Sequence, residues 1–526
     1  MEDEMTEIES SVRTRMLMER LHSKFSEKSW NETLYIVHRC LEKPIGMLGS
    51  SVNQLFLNCV ASLQKSLNVT SFTGIVTRLD AISKLQGLGS HRSPNDTAYY
   101  ITSDMFYLEI ILKSSGEVMD VRVAHHGEAP VISKELTELL RARKFEDFSE
   151  KLEGLCSLYN IAGDRETKIK VFSALQSLEA DLMKMSQFPR QTVHCDSRLD
   201  TVLNGSVGNL TPRQEGKPMT VEYFVSPYDQ LEDPVMHGRF GEILLVTVEG
   251  TSLTYRLPIS PLLVDSMEHN DERVSLFPPL DDAVSMELPA CFFLKFAHPL
   301  PVLSILIERL QSLTGISINM ELHRNIFFEL LIKTVLKQRK CEIQDMSMQS
   351  YFLQSLPGDE VQSYILSQYV PGNQKGPMEG VLLSKIPFSH PEQVPAILEV
   401  LRHQCAFNTL LSSCISTNRS DCAVPGARHF EVYPSSDMSF CITFEHPTMV
   451  SLATVIVNVV SSRHIHGTFY KSEKMEASMD DFISRVLQRC MSIPVTMRAI
   501  CRKMHKLKSD SLVEAWSPCQ PEAATN

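Results

Sequence analysis

The sequence predicts an α+β protein, with an N-terminal helical region followed by several small β-meander and helix units. Three observations predict it. Apolar residues recur at helical spacing through the first 86 positions. The period then shortens to two at Phe106, Leu108, Ile110 and Leu112. Finally, 43% of the 526 residues are hydrophobic and 22% are charged, which suits a packed chain of more than one domain.

The first elements are helical. Residues 1–14 are acidic, with Glu2, Asp3, Glu4, Glu7 and Glu9, and read as a flexible N-terminus. Residues 15–86 form the helical region. Leu17, Leu21 and Phe25 share one face, and Ser29 with Glu32 is a capping box that opens a helix carrying Leu34, Val37 and Leu41. Val52, Leu55, Cys59, Leu63 and Leu67 make a third stripe. Ile75, Leu79 and Ile82 make the last one, closed by Gly87. Residues 97–186 hold a β-hairpin, turning at Ser114-Ser115-Gly116, and then helices marked by Leu136/Leu140, Phe148/Leu152 and Val171/Leu175/Leu178/Leu182. Residues 187–217 are polar and read as a linker. Residues 218–340 and 341–508 read as two further α+β units, the second ending in basic helices. Residues 509–526 read as a disordered tail.

The apolar run 449–460 is too short to cross a bilayer and is rich in β-branched residues. It reads as a buried strand, and no membrane partner is expected. Thirteen cysteines are scattered without a C-x-x-C spacing, and no signal-peptide pattern opens the chain. Free thiols in a reducing compartment are expected.

One pattern, Phe-x-His-Pro-x-x-Val, occurs at Phe296/His298/Pro299/Val302, at Phe388/His390/Pro391/Val394 and at Phe444/His446/Pro447/Val450. A proline is favoured at the first helical position and pushes the residue before it out of helical geometry. The pattern therefore reads as a strand-to-helix joint, and its first two copies suggest a repeated α+β unit.

The search for chemistry returns little. The sequence contains no P-loop, G-x-S-x-G, kinase or H-E-x-x-H signature. Gly205-x-x-Gly208 lacks the preceding strand that a phosphate cradle needs. His125-His126 and His464-x-His466 are pairs without a third ligand at suitable spacing, so they read as structural or surface residues. No catalytic residue, cofactor or metal is expected, and the chain reads as non-enzymatic. A metal-dependent hydrolase built on His125 and His126 is the contrary reading.

Two features point to partners. Leu136-Thr137-Glu138-Leu139-Leu140 has the L-x-x-L-L spacing of helices that dock in hydrophobic grooves. Any amphipathic helix facing its own core has the same spacing, and inside a folded region the core role takes precedence. Docking through Leu136, Leu139 and Leu140 is kept as the alternative. The second feature is charge. The net charge is −12, yet residues 485–508 carry Arg485, Arg489, Arg498, Arg502, Lys503, Lys506 and Lys508 and no acid. Arg498, Arg502 and Lys503 are the candidate contacts for an acidic partner or nucleic acid. The plainer reading is a solvated helix face.

Longer strings go beyond what spacing can interpret. In chain order they are GLGSH (87–91), YITSDMFY (100–107), VAHHGE (123–128), GSVGNLTPR (205–213), VEGTS (248–252), LPACFFLKF (288–296) and QRCMSIPVTMRAI (488–500). Together they resemble the N-terminal domain of the Mediator subunit 1 family over nearly the whole chain. The resemblance implies a nuclear, non-catalytic component of the Mediator complex, a coactivator that bridges gene-specific regulators and the RNA polymerase II machinery. It implies other Mediator subunits of the middle module as partners, with polymerase and activators reached indirectly, and no cofactor. Family members of the vertebrate type also carry receptor-binding L-x-x-L-L boxes in a long disordered tail. This chain stops at Asn526, so a tail-less form or paralogue is expected, working in architecture more than in receptor docking. A stand-alone nuclear-receptor-binding module is the alternative reading.

Overall fold

The structure is a computed structural model. It describes Met16, Glu19 and residues 71–94, 98–157, 161, 163–188, 197–213, 218–227, 241–263, 277–318, 324–339, 351–357, 360–367, 377–420, 424–470 and 477–515. The acidic stretch 1–14, the Ser29/Glu32 capping box and the first three helical stripes lie outside the described residues, as does the end of the tail. The chain divides into two compact units, Met1–Ile75 and Val76–Asn526. Helix α1 (Phe72–Leu85) leads into the second unit, which holds all of the described strands.

Those strands form three sheets. The first is an antiparallel meander in chain order: β1 (Gly89–Arg92), β2 (Ala98–Thr102), β3 (Phe106–Leu112), β4 (Val118–His125) and β5 (Val131–Ile132). The alternation read at Phe106 is β3, with Phe106, Leu108, Ile110 and Leu112 buried. Helices α2 (Lys134–Arg141), α3 (Phe145–Ser157) and α4 (Arg165–Ser186) come after it.

Residues read as a linker, 187–217, contain order of their own: helix α5 (Ser197–Asn204) and strand β6 (Asn209–Thr211). The stretch is polar because these elements are short and half-exposed, so composition alone misreads it. Strands β7 (Met219–Phe224), β8 (Glu242–Pro258) and β9 (Ser285–Leu303) come next, then α6 (Ser304–Thr314), β10 (Asn325–Ile326) and α7 (Phe327–Gln338). After β11 (Tyr351–Leu356) and β12 (Glu360–Leu366), strand β13 (Glu379–Phe388) returns to the earlier group. The second sheet has the order β10-β13-β9-β8-β7-β6, antiparallel throughout. The expected boundary at 340/341 is therefore crossed, since β13 pairs with β9 from Phe388↔Phe292 to Gly380↔Leu303.

The rest of the chain is helix α8 (Gln393–Ser412), strands β14 (Arg419–Ser420), β15 (Arg428–Ser436), β16 (Ser439–Glu445), β17 (Leu452–Val459) and β18 (Ile465–Tyr470), and helices α9 (Ala477–Cys490) and α10 (Ile493–Ala515). The third sheet runs β14-β11-β12-β15-β16-β17-β18. Within it β12 and β15 are parallel. Helix α10 continues to Ala515, into the stretch read as a tail. No described helix is long and apolar enough to cross a membrane.

One hydrophobic core runs from Ile161 to Met504 and joins the second and third sheets. Helix α8 lies between them, touching β7 and β9 on one side and β17 on the other. Thirteen of its twenty residues are buried, and Glu399 is the position that reaches solvent. Its polar side chains satisfy backbone groups that the packing has cut off from water. Arg402 donates to the carbonyls of Tyr223 (2.9 Å), Val202 (2.9 Å) and Gly205 (2.7 Å), the last two at the C-terminal end of α5, where a cation is favoured. Gln404 accepts from the Leu303 N–H (2.9 Å), and Asn408 donates to the Pro301 carbonyl (2.9 Å).

The repeated Phe-x-His-Pro motif does not mark one kind of joint. Its first copy lies wholly inside β9, where residues between Lys295 and Leu300 bulge against β13. A proline is accommodated there because a bulge has no ladder N–H to supply. The second copy is the turn before α8, and the third is the turn between β16 and β17. These two do share a device: His390 Nδ1 accepts from the Glu392 N–H (3.2 Å), and His446 Nδ1 from the Thr448 N–H (3.3 Å). The first two copies thus stand at different places relative to their helices, the first within its strand and the second between strand and helix.

The edge of the third sheet is closed by side chains. An open edge strand invites pairing with other chains. Along β18, the Phe469 N–H donates to Asp480 (2.8 Å), the Gly467 N–H donates to Ser484 (3.0 Å), and the Ile465 carbonyl accepts from Gln488 (3.3 Å). Four helical residues advance about 6 Å and two strand residues about 6.6 Å, so the two periods keep step. The close approach needs Gly467, because a Cβ there would lie 2.2 Å from Ile483 Cγ2. We expect Gly467→Ala to cost about 1–3 kcal/mol by overpacking. Gly154→Ala, in the middle of α3 with nothing within 4 Å of the added Cβ, should stabilise by about 0.5–1 kcal/mol. Urea midpoints of the two variants check these opposite signs.

Candidate interaction surfaces

The L-x-x-L-L segment is helix α2. Ser133 caps it, accepting from the Leu136 N–H (3.3 Å), and Thr137 Oγ1 accepts from the Val121 N–H of β4 (2.9 Å). Leu136 and Leu140 are buried against β4 and α3, and Leu139 is half-buried. Beyond the helix, Arg143, at a positive φ of 59°, donates to the Gly116 carbonyl (3.0 Å). A docking helix must offer its leucines outward together. Here two of the three face inward, which removes the receptor-docking use read from the spacing as long as the helix stays packed. Phe407, Leu410 and Leu411 are fully buried in α8.

The histidine pairs do not assemble a metal centre, and no cluster of three or more candidate ligands occurs among the described residues. His125 is a buried ring stacked on Phe172, with centroids 6.0 Å apart. The far side of this cluster is Arg213, which lies 4.8 Å over the Phe172 ring and pairs with Glu128 (3.0 Å) and Glu179 (3.4 Å). Burial, reinforced by the Arg213 charge, lowers the pKa of His125 to about 4. His464 and His466 are exposed on the last hairpin. Gly208 is needed for approach and not for phosphate: its φ is +66° and a Cβ would meet the Glu222 carbonyl at 2.3 Å. The described cysteines are free, and burial pushes the Cys291 thiol up to about 12, away from reactivity.

The basic face is only partly as the sequence implies. Arg502 is exposed. Arg498 is half-buried and donates to the Pro357 carbonyl. Lys503 is half-buried, its Nζ 4.3 Å over the Phe482 ring. Lys506 and Lys508, in the same acid-free run, are exposed and extend the surface. The apolar run 449–460 also differs from expectation. Its strand begins at Leu452, and Met449 and Val450 lie outside it in the turn. All three are exposed, although they open an otherwise apolar run.

The described residues thus offer surfaces for contact: a cationic helix and an apolar turn on a large, continuously packed body. The family model for "Mediator of RNA polymerase II transcription subunit 1" matches residues 57–241 and 251–416. The chain belongs to the Mediator subunit 1 family. It is similar to proteins of that name from Xenopus laevis, 42% identical over 512 residues covering 94% of this chain and 32% of the relative, and from Xenopus tropicalis, 43% identical with the same coverage. The Drosophila melanogaster relative is 28% identical over 510 residues, 92% of this chain and 33% of its own length. The chain spans about a third of the length of the curated relatives it matches.

The packing of α2 and of His125 can be tested by substitution. Leu140→Ala should cost about 2–5 kcal/mol, as a truncation in a closed core, and Glu138→Ala at an exposed position of α2 should stay within about 0.5 kcal/mol; chemical denaturation separates them. For His125 the readout is pH. Below 6.5 the unfolded chain binds a proton that folded His125 takes up only near pH 4. His390 and His403 are lowered by burial in the same direction. Stability should therefore be complete above 6.5 and fall as pH drops toward 4, with His125 contributing on the order of 3 kcal/mol over the full window. Urea midpoints measured across that range should show a shallower acid limb for His125→Leu.

Proposed function

We propose that this chain works as a component of the Mediator complex in the nucleus, as a non-catalytic scaffold and adaptor between gene-specific regulators and the RNA polymerase II machinery. The observation that carries the reading is the collinear match over 94% of the chain to a relative named for that complex. The packing supports it. Leu136, Leu140 and His125 serve the core, and Arg402, Gln404 and Asn408 of α8 serve backbone groups, so these residues are occupied with holding the body together. The partners of this reading are other Mediator subunits of the middle module, and polymerase and activators are reached through them. A tagged chain purified from nuclear extract should carry Mediator subunits in near-equal amounts by quantitative mass spectrometry. Recovery without any of them would overturn the proposal.

A further inference from the structure

An acid-free basic run continues from α9 into α10. Residues 485–508 hold seven Lys and Arg and no acid, in a chain where acids outnumber bases 63 to 51. Arg498, Arg502 and Lys506 recur every four residues and follow one stripe of the helix. Like charges at that spacing oppose the helix by about 0.2–0.5 kcal/mol per pair. The helix dipole does not offset this, because its effect fades within the last turn and the helix runs on to Ala515. The stripe therefore carries a local cost between Arg498 and Arg502 and between Arg502 and Lys506.

Beside it stands an apolar turn. Met449 is 47% exposed, Val450 fully so, and Leu452 69%. Lys508 Nζ donates to the Thr448 carbonyl at 3.3 Å, which makes the end of the cationic stripe a neighbour of this turn. Three exposed apolar residues within four positions are not the scattered single exposures of an ordinary surface.

We propose that α10 and the 448–452 turn form one docking surface for an acidic, amphipathic helical segment of a partner protein. Its carboxylates meet Arg502, Lys506 and Lys508, and its apolar side chains cover Met449, Val450 and Leu452. The turn decides between protein and nucleic acid. Phosphates gain from the cations alone, and aliphatic side chains give bases no stacking platform. An acidic helix with one apolar face uses both halves, the charges setting orientation and the apolar contact excluding water.

The inference rests on the reading under Proposed function, and the experiment separates the two. The tagged full chain, purified with its partners from nuclear extract, is treated with a carbodiimide, which joins lysine amines to carboxylates without a spacer. The surface predicts cross-links from Lys506 or Lys508 to one acidic segment of another subunit. In the variant carrying Val450→Asp, Arg502→Glu and Lys506→Glu, the Lys508 links should fall about tenfold or more, while the melting temperature stays within about 2 °C. The proposal is overturned if Mediator subunits are recovered but Lys506 and Lys508 link only within this chain or not at all; the broader reading then stands. It is also overturned if ultraviolet cross-linking joins α10 peptides to RNA or DNA in place of protein. If other proteins are recovered instead of Mediator subunits, the broader reading fails, and the same lysine links still decide this one.

Discussion

The enclosure of helix α8 is the constraint on which the rest of the second unit depends. A helix covered on both sides by sheets leaves no path to water for the strand ends and loop carbonyls it crosses. Buried backbone groups without partners cost about 1–3 kcal/mol each, so α8 must carry the missing partners itself. It does so with Arg402, Gln404 and Asn408, which reach residues separated from them in sequence by 101 to 200 positions. The same residues fix how β7, β9 and α5 stand against the helix. Exchanging any of them for an apolar residue of similar size would leave carbonyls or an N–H stranded in the core.

This arrangement explains what could be read from the sequence. Periodicity reports which residues face inward, and it located β3, the edge of α2 and the helices after residue 130 because local burial decides those. It cannot report which strands become neighbours. Strand β13 lies between β10 and β9, more than 70 residues after β9 ends. Only long-range packing dictates that, so the two units read before and after position 340 share a sheet. The linker misreading has the same origin. Helix α5 is short and half-exposed, and its worth to the fold comes from the distant Arg402.

Three of the strings that carry the family resemblance fall at corners or close backbone approaches. GLGSH holds Gly87 at a φ of +69° and Gly89, whose Cβ would approach Thr102 to 2.8 Å. GSVGNLTPR holds Gly208, pressed on Glu222, and Arg213, which closes the cluster with VAHHGE. QRCMSIPVTMRAI includes Met491 at a φ of +42°, the corner between α9 and α10. Such corners resist interpretation by spacing because their requirement is steric and not periodic. The candidate contact residues were legible only by their charge. Sequence placed Arg498, Arg502 and Lys503 together, but a helix turns 100° per residue, and burial of one flank draws Arg498 and Lys503 into local contacts while leaving Lys506 and Lys508 outward.

The basic helix is not an appendage, and that bears on how it can act. Its first N–H, at Ile493, donates to Ser413 Oγ at 2.9 Å, so α10 starts on the C-terminal cap of α8. Met497, Ile500, Cys501 and Met504 extend the central core. Helix α9, keyed into the edge of β18 by Asp480, Ser484 and Gln488, supplies Phe482 beneath Lys503. The backbone that carries the cations is thus held by the same framework that encloses α8, and little backbone entropy remains for a partner to remove on binding. A rigid cationic stripe favours a partner segment that orders itself upon it. In that arrangement the body supplies the template, and the cost of folding on contact falls to the other chain.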